Sequence, residues 1–149
     1  MIVERSVLLD VVGALPFDSG QWVVAGSAPM LMAGLVDSIS DIDLVVDATA
    51  WQRALSLYDE PPREGLHGDH MVEMQVGDAV VEIFDGWLGT EARGRIAEAV
   101  EIEGQRFSPL ERVLDSKRRL IRPKDRRHIA ILEAHLGRID RQAPPADGH

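Results

Sequence analysis

The stretch Asp41-Ile42-Asp43-Leu44-Val45-Val46 constrains this chain more than any other. Ile42 to Val46 reads as a strand, since Ile42, Leu44, Val45 and Val46 suit a buried sheet position. Side chains alternate along a strand, so Asp41 and Asp43 project to one side while Ile42 and Leu44 enter the core. Two like charges on one side of a buried strand are unfavourable unless a cation neutralises them. Oxygen-only ligands favour Mg²⁺ or Mn²⁺, and a two-metal site uses shared carboxylates of this kind.

The segments around this strand predict a mixed α/β or α+β domain, a small mixed sheet flanked by helices with further helices at the C-terminus. Val3 to Leu15 carries helical apolar spacing that Pro16 ends. Gln21 to Ala25 reads as a strand, Gly26-Ser27 as a tight turn, and Pro29 to Leu35 as a helix with proline in its first turn. Ala50 to Tyr58 fits a helix. Pro61-Pro62 and the stretch to Asp69 read as loop. Met71 to Val76 and Ala79 to Phe84, joined at Gly77-Asp78, read as a hairpin. Ile96 to Ile102 passes from a short helix into an edge strand closed by Glu103-Gly104. Ser108-Pro109-Leu110-Glu111 has capping-box character, with Ser108 as N-cap. The helix that follows runs toward Leu120, Pro123 interrupts it, and a last helix spans Lys124 to Leu136. One domain over residues 1–139 and a frayed tail over 140–149 are expected.

Composition narrows the chemistry. The chain has 149 residues, 45% of them hydrophobic, and no cysteine. Disulfides, thiolate zinc sites and cysteine nucleophiles are therefore excluded. No run approaches the ~20 apolar residues of a membrane span, and the N-terminal run is interrupted by Glu4, Arg5 and Asp10, unlike a signal peptide. A cytoplasmic protein without membrane attachment is the expectation. The net charge is −9, yet Lys117 to His128 holds seven Lys or Arg and one Asp. A cationic island on an acidic chain suits phosphate; its plainer reading is a solvated helix face paired to acids such as Asp115 or Glu133.

Gly26-Ser27 complements the carboxylates. A glycine turn opening a helix presents backbone N–H groups at the positive end of the helix, a seat for a triphosphate, and glycine permits close approach. A third carboxylate is expected from a neighbouring strand. Glu82, flanked by apolar residues within Val80 to Phe84, is preferred because a charge in the body of a strand needs a partner; Asp85, at the strand end, is the alternative. His67, Asp69 and His70 fit no standard metal spacing and read as solvated loop. Trp22, Trp51 and Trp87 read as packing residues.

Gly-Ser, a gap, DIDLVV and then VEIF together resemble the polymerase beta-like nucleotidyltransferase superfamily, whose pattern is hG[GS], Dh[DE]h and h[DE]h. The run SPLERVLDSKRRLIRPKDRRHIAILE is similar to the minimal and AbiEii-like bacterial nucleotidyltransferases, several of them toxins or antitoxins. The resemblance covers roughly Val23 to Leu136. It implies a nucleotidyltransferase fold, with Asp41, Asp43 and Glu82 as metal-binding and catalytic carboxylates. Gly26, Ser27, Lys117 and Lys124 would contact nucleotide phosphates, and Asp125 would orient the neighbouring basic residues. The implied reaction moves a nucleoside monophosphate from an NTP to a hydroxyl on RNA, a protein or a small molecule, with Mg²⁺ or Mn²⁺. A non-enzymatic partner protein of a toxin–antitoxin-like pair and a metal-dependent phosphohydrolase are the rival readings. The chain departs from the pattern in carrying Glu82 where Asp is common, and His128 where an acid is frequent.

Overall fold

The computed structural model describes residues 2–57, 60–65 and 67–142. The chain divides into two compact units, Met1–Pro109 and Leu110–His149. Together the described residues form a mixed α/β structure of six helices, a seven-stranded mixed sheet and a separate two-stranded ribbon.

In the first unit the order is α1 (Arg5–Gly13), β1 (Trp22–Ala25), α2 (Ala28–Met32), β2 (Ile42–Val46), α3 (Ala48–Ser56), β3 (Arg63–Glu64), β4 (His70–Val76), β5 (Ala79–Phe84), β6 (Gly86–Trp87), β7 (Thr90–Glu91), α4 (Ala92–Ala97), β8 (Val100–Ile102) and β9 (Gln105–Phe107). The sheet order is β3-β4-β5-β2-β1-β9-β8. β2 therefore lies at its centre, antiparallel to β1 and parallel to β5.

Alternation along the strands sorts the core into two layers. Ile42, Leu44, Val24, Val81, Ile83 and Phe107 enter the larger cluster, which the apolar faces of α1, α2 and α3 complete. Val23, Ala25 and Val45 point to the opposite face, where Ala92 and Ile96 of α4 cover them. Burial of this apolar area is the main stabilising term.

Several elements differ from the sequence expectation for local reasons. α1 is shorter than Val3 to Leu15, because Val3 leaves the helix to form an antiparallel bridge with Ile39. α2 ends at Met32 rather than Leu35. Gly34 there adopts φ +75°, and the Leu35 amide donates to the Met30 carbonyl at 2.9 Å, a Schellman-type closure. α3 begins at Ala48, two residues before the expected start, because the Asp47 carboxylate caps the Ala50 N–H at 2.9 Å; Tyr58 lies outside the described residues. Arg63–Glu64, expected as loop, pairs with β4. β8 is an edge strand as expected, and the turn at Glu103-Gly104 goes on to close a hairpin, since Gln105–Phe107 returns between β8 and β1.

The second unit is α5 (Leu110–Leu120) and α6 (Pro123–Gln142). The turn at Ile121-Arg122 folds them against each other, and Arg118 reaches Glu133 across the pair at 3.2 Å. α5 begins one residue after the position that would make Ser108 its N-cap. α6 continues beyond Leu136, three residues into the segment expected as tail; residues 143–149 lie outside the described residues. No helix among the described residues is long and apolar enough to cross a membrane.

Candidate functional site

The pairing of β2 with β5 brings two of the expected carboxylates together. Asp43 and Glu82 are register partners across the parallel pair. Partners in register share a face, with Cβ atoms about 5 Å apart. Both side chains are half-buried. Asp41 precedes β2 by one residue and is exposed; the Ser40 hydroxyl donates to its Oδ2 at 3.3 Å. The segment leading into Asp41 is tied down by Ile39, whose amide and carbonyl both pair with Val3, at 2.9 and 2.8 Å.

The row of acids extends one strand further than the sequence reading. Glu73 on β4 is the register partner of Glu82, is exposed, and forms an ion pair with Arg63 at 3.3 Å. The signal for it was present: a two-residue turn at Gly77-Asp78 pairs Val76 with Ala79, and three steps back along each strand lead to Glu73 and Glu82. Asp85, the alternative third carboxylate, is engaged elsewhere. It accepts from the His70 backbone N–H at 2.7 Å and lies 2.9 Å from His70 Nδ1.

Gly26 closes the row on the β1 side. Ala25 is the register partner of Asp43, and the chain leaves β1 with Gly26 at φ +64°. A Cβ at position 26 would collide with Asp43 Oδ2 and lie 3.1 Å from its Cγ. The glycine is thus required by backbone conformation and by the carboxylate against it. Ser27 stands at the N-cap position of α2 without a side-chain capping bond, and its carbonyl accepts from the Met30 N–H at 3.0 Å. α2 has only five residues, so the macrodipole expected of a longer helix is reduced. Any phosphate seat here depends on the turn amides and the Ser27 hydroxyl.

The donor chemistry of Asp41, Asp43 and Glu82 suits a hard divalent cation, and Asp43 and Glu82 share one side of the sheet. Among the described residues, however, no group of three or more His, Asp or Glu is gathered closely enough to hold a metal ion. Asp69 serves its loop, accepting from the Gly89 N–H at 2.9 Å. Trp22 and Trp51 are core residues. Trp87 packs edge-on to Phe84 at 5.2 Å.

In the second unit the expected phosphate ligands separate. Lys124 is exposed, whereas Lys117 is buried with its ammonium 3.4 Å from Asp125. Asp125 is completely buried. It also accepts from the Arg122 backbone N–H at 3.0 Å, from Nε at 2.7 Å and from NH2 at 3.2 Å. Burial pushes the Asp125 carboxyl up, but these bonds and the two cations outweigh it and hold the carboxyl at about 2, against an ordinary 3.8. Burial pulls the Lys117 ammonium below its ordinary value, opposed by Asp125. Burial, followed by the Lys117 charge, lowers the pKa of half-buried His128. The plainer pairing reading holds for Arg118 with Glu133 at 3.2 Å, whereas Asp115 pairs with Arg112, which lies before the basic run.

Two outcomes test this geometry. Gly26→Ala should cost about 2 kcal/mol or more in urea unfolding, and clearly less in an Asp43→Ala background; equal costs in both would mean that the carboxylate is not against the glycine. A carboxyl held at about 2 in the folded protein contributes stability that is present above its unfolded value near 4 and lost as pH falls toward 2. Asp125→Asn should lose about 3 kcal/mol at neutral pH and flatten the fall in stability between about pH 4 and 2, both read from denaturant melts across pH. No protein-family model, curated protein or solved structure matches this chain.

Proposed function

We propose that this chain is a metal-dependent nucleotidyltransferase of the polymerase beta-like type, moving a nucleoside monophosphate from an NTP to a hydroxyl acceptor. The observation that carries the reading is the in-register pair Asp43–Glu82, with Asp41 just before β2 and Gly26 pressed against Asp43. A Gly-Ser turn beside paired strand carboxylates is the arrangement that phosphoryl-transfer chemistry needs, because catalysis there consists of positioning and charge neutralisation.

Asp41, Asp43 and Glu82 would hold Mg²⁺ or Mn²⁺, which when bound neutralises triphosphate charge and activates the acceptor oxygen. The Gly26 and Ser27 amides would orient the triphosphate, and Gly26 keeps side-chain bulk away from it. Glu82, half-buried in register with Asp43, would help take the proton of the acceptor hydroxyl. Asp125 would keep Lys117 and Arg122 charged and fixed. The fold expected for this activity is a nucleotidyltransferase fold, to which the central β1-β2-β5 arrangement is suited.

The absence of a gathered three-carboxylate group among the described residues favours a second reading, a partner protein that keeps the fold without turnover, as in toxin–antitoxin pairs.

Incubation with each α-³²P-labelled NTP, Mg²⁺ or Mn²⁺ and a lysate supplying RNA and protein acceptors separates the two. Transferred label in wild type should fall about 100-fold or more in Asp43→Asn and in Glu82→Gln, since even groups one shell removed from a metal cost 10–100-fold. Folded wild type that transfers no label under any condition would support the partner reading.

A further inference from the structure

We infer that the corner where α5 turns into α6 is a binding surface for single-stranded RNA, built from Arg119, Lys124, Arg126 and Arg127 around Ile121. Within this stretch Lys117 and Arg122 are engaged by Asp125, and Arg118 by Glu133. Arg119, Arg126 and Arg127 are exposed, and among the described residues none of the three stands in an ion pair. Lys124 is exposed beside them. The one acid within the corner, Asp125, is completely buried, so the charge this corner offers to solvent is cationic although the whole chain carries −9. Guanidinium groups match phosphate oxygens in a planar, bidentate manner.

Ile121 is the second observation. It is 62% exposed and sits at φ +45°, a left-handed backbone conformation unfavourable for a β-branched residue. Glycine would close α5 at this position without strain. A strained, exposed isoleucine at the turn between two helices that carry exposed arginines offers an apolar surface to an unstacked base, while the guanidiniums hold phosphates. Stable docking on a membrane would need a broad apolar stripe, and the apolar surface at this corner is one side chain. A long duplex would be opposed by the acidic charge of the chain, whereas a short single strand needs only a few phosphate contacts.

Naming RNA as the acceptor for nucleotidyl transfer rests on the function proposed above; the binding itself does not. The test uses the full chain without nucleotide or added metal. Anisotropy of a fluorescein-labelled single-stranded oligoribonucleotide is measured across a NaCl series, with unlabelled RNA, phosphatidylserine vesicles and polyglutamate as competitors. Binding should weaken at least about tenfold in the triple variant Arg119→Ala, Arg126→Ala, Arg127→Ala. Its salt slope should drop by about 2, at roughly 0.7 for each phosphate that is no longer neutralised. The corresponding triple Lys variant should recover most of the slope. Absence of binding at low salt, an unchanged Ala variant, a Lys variant that recovers nothing, or competition by vesicles or polyglutamate equal to that of RNA would each overturn the inference. If RNA binds as expected and no label is transferred from NTP, the surface stands and the transfer reading fails.

Discussion

The candidate site depends on one pairing, the parallel alignment of β2 with β5 at the centre of the sheet. It sets Asp43 beside Glu82, two charges in the middle of a sheet whose other central positions are apolar. A slip of one residue would send Glu82 into the larger core cluster and Ile83 out to the acid face. Burial of Val81 and Ile83 therefore holds the carboxylates in place: the apolar register and the acid register are the same register. Like charges directly across a strand pair are unfavourable, so the sheet gives up some stability to an arrangement that packing alone would not select. Such local conflict with the rules of folding is expected where function has shaped a sequence.

Much of the central unit was legible because its signals are local. Ile42–Val46 and the hairpin from Met71 to Phe84 are short runs whose alternation specifies both strand and face. The apolar neighbours of Glu82 mark it as a strand-body charge, and Glu82 is in register with Asp43, while Asp85 accepts from the His70 N–H. What was illegible depends on contacts distant in sequence. Val3 leaves α1 to pair with Ile39, and Gln105–Phe107 becomes a strand only because β1 offers an edge. The early end of α2 was within reach, since Gly34 is an ordinary helix stop.

The basic run shows the limit of composition as a guide. Seven cations in one stretch read as a single island, yet they serve different ends. Lys117 and Arg122 are bound to a completely buried Asp125, an internal device whose stability comes from satisfying that carboxylate from several sides. Arg118 makes an exposed ion pair of small energetic value. The exposed arginines at positions 119, 126 and 127 are what a partner would meet, and no count of charges could have separated these groups without the fold of α5 against α6.

The central proposal is that Asp41, Asp43 and Glu82 hold a divalent cation. Mn²⁺ titration followed by electron paramagnetic resonance addresses it directly, because the sharp signal of hydrated Mn²⁺ disappears when the ion binds protein carboxylates. The wild-type chain should quench the signal saturably, Asp43→Asn and Glu82→Gln should each abolish most of the quenching, and Asp85→Asn should leave it intact. Equal quenching by wild type, Asp43→Asn and Glu82→Gln, or none by the folded wild type, would contradict the account.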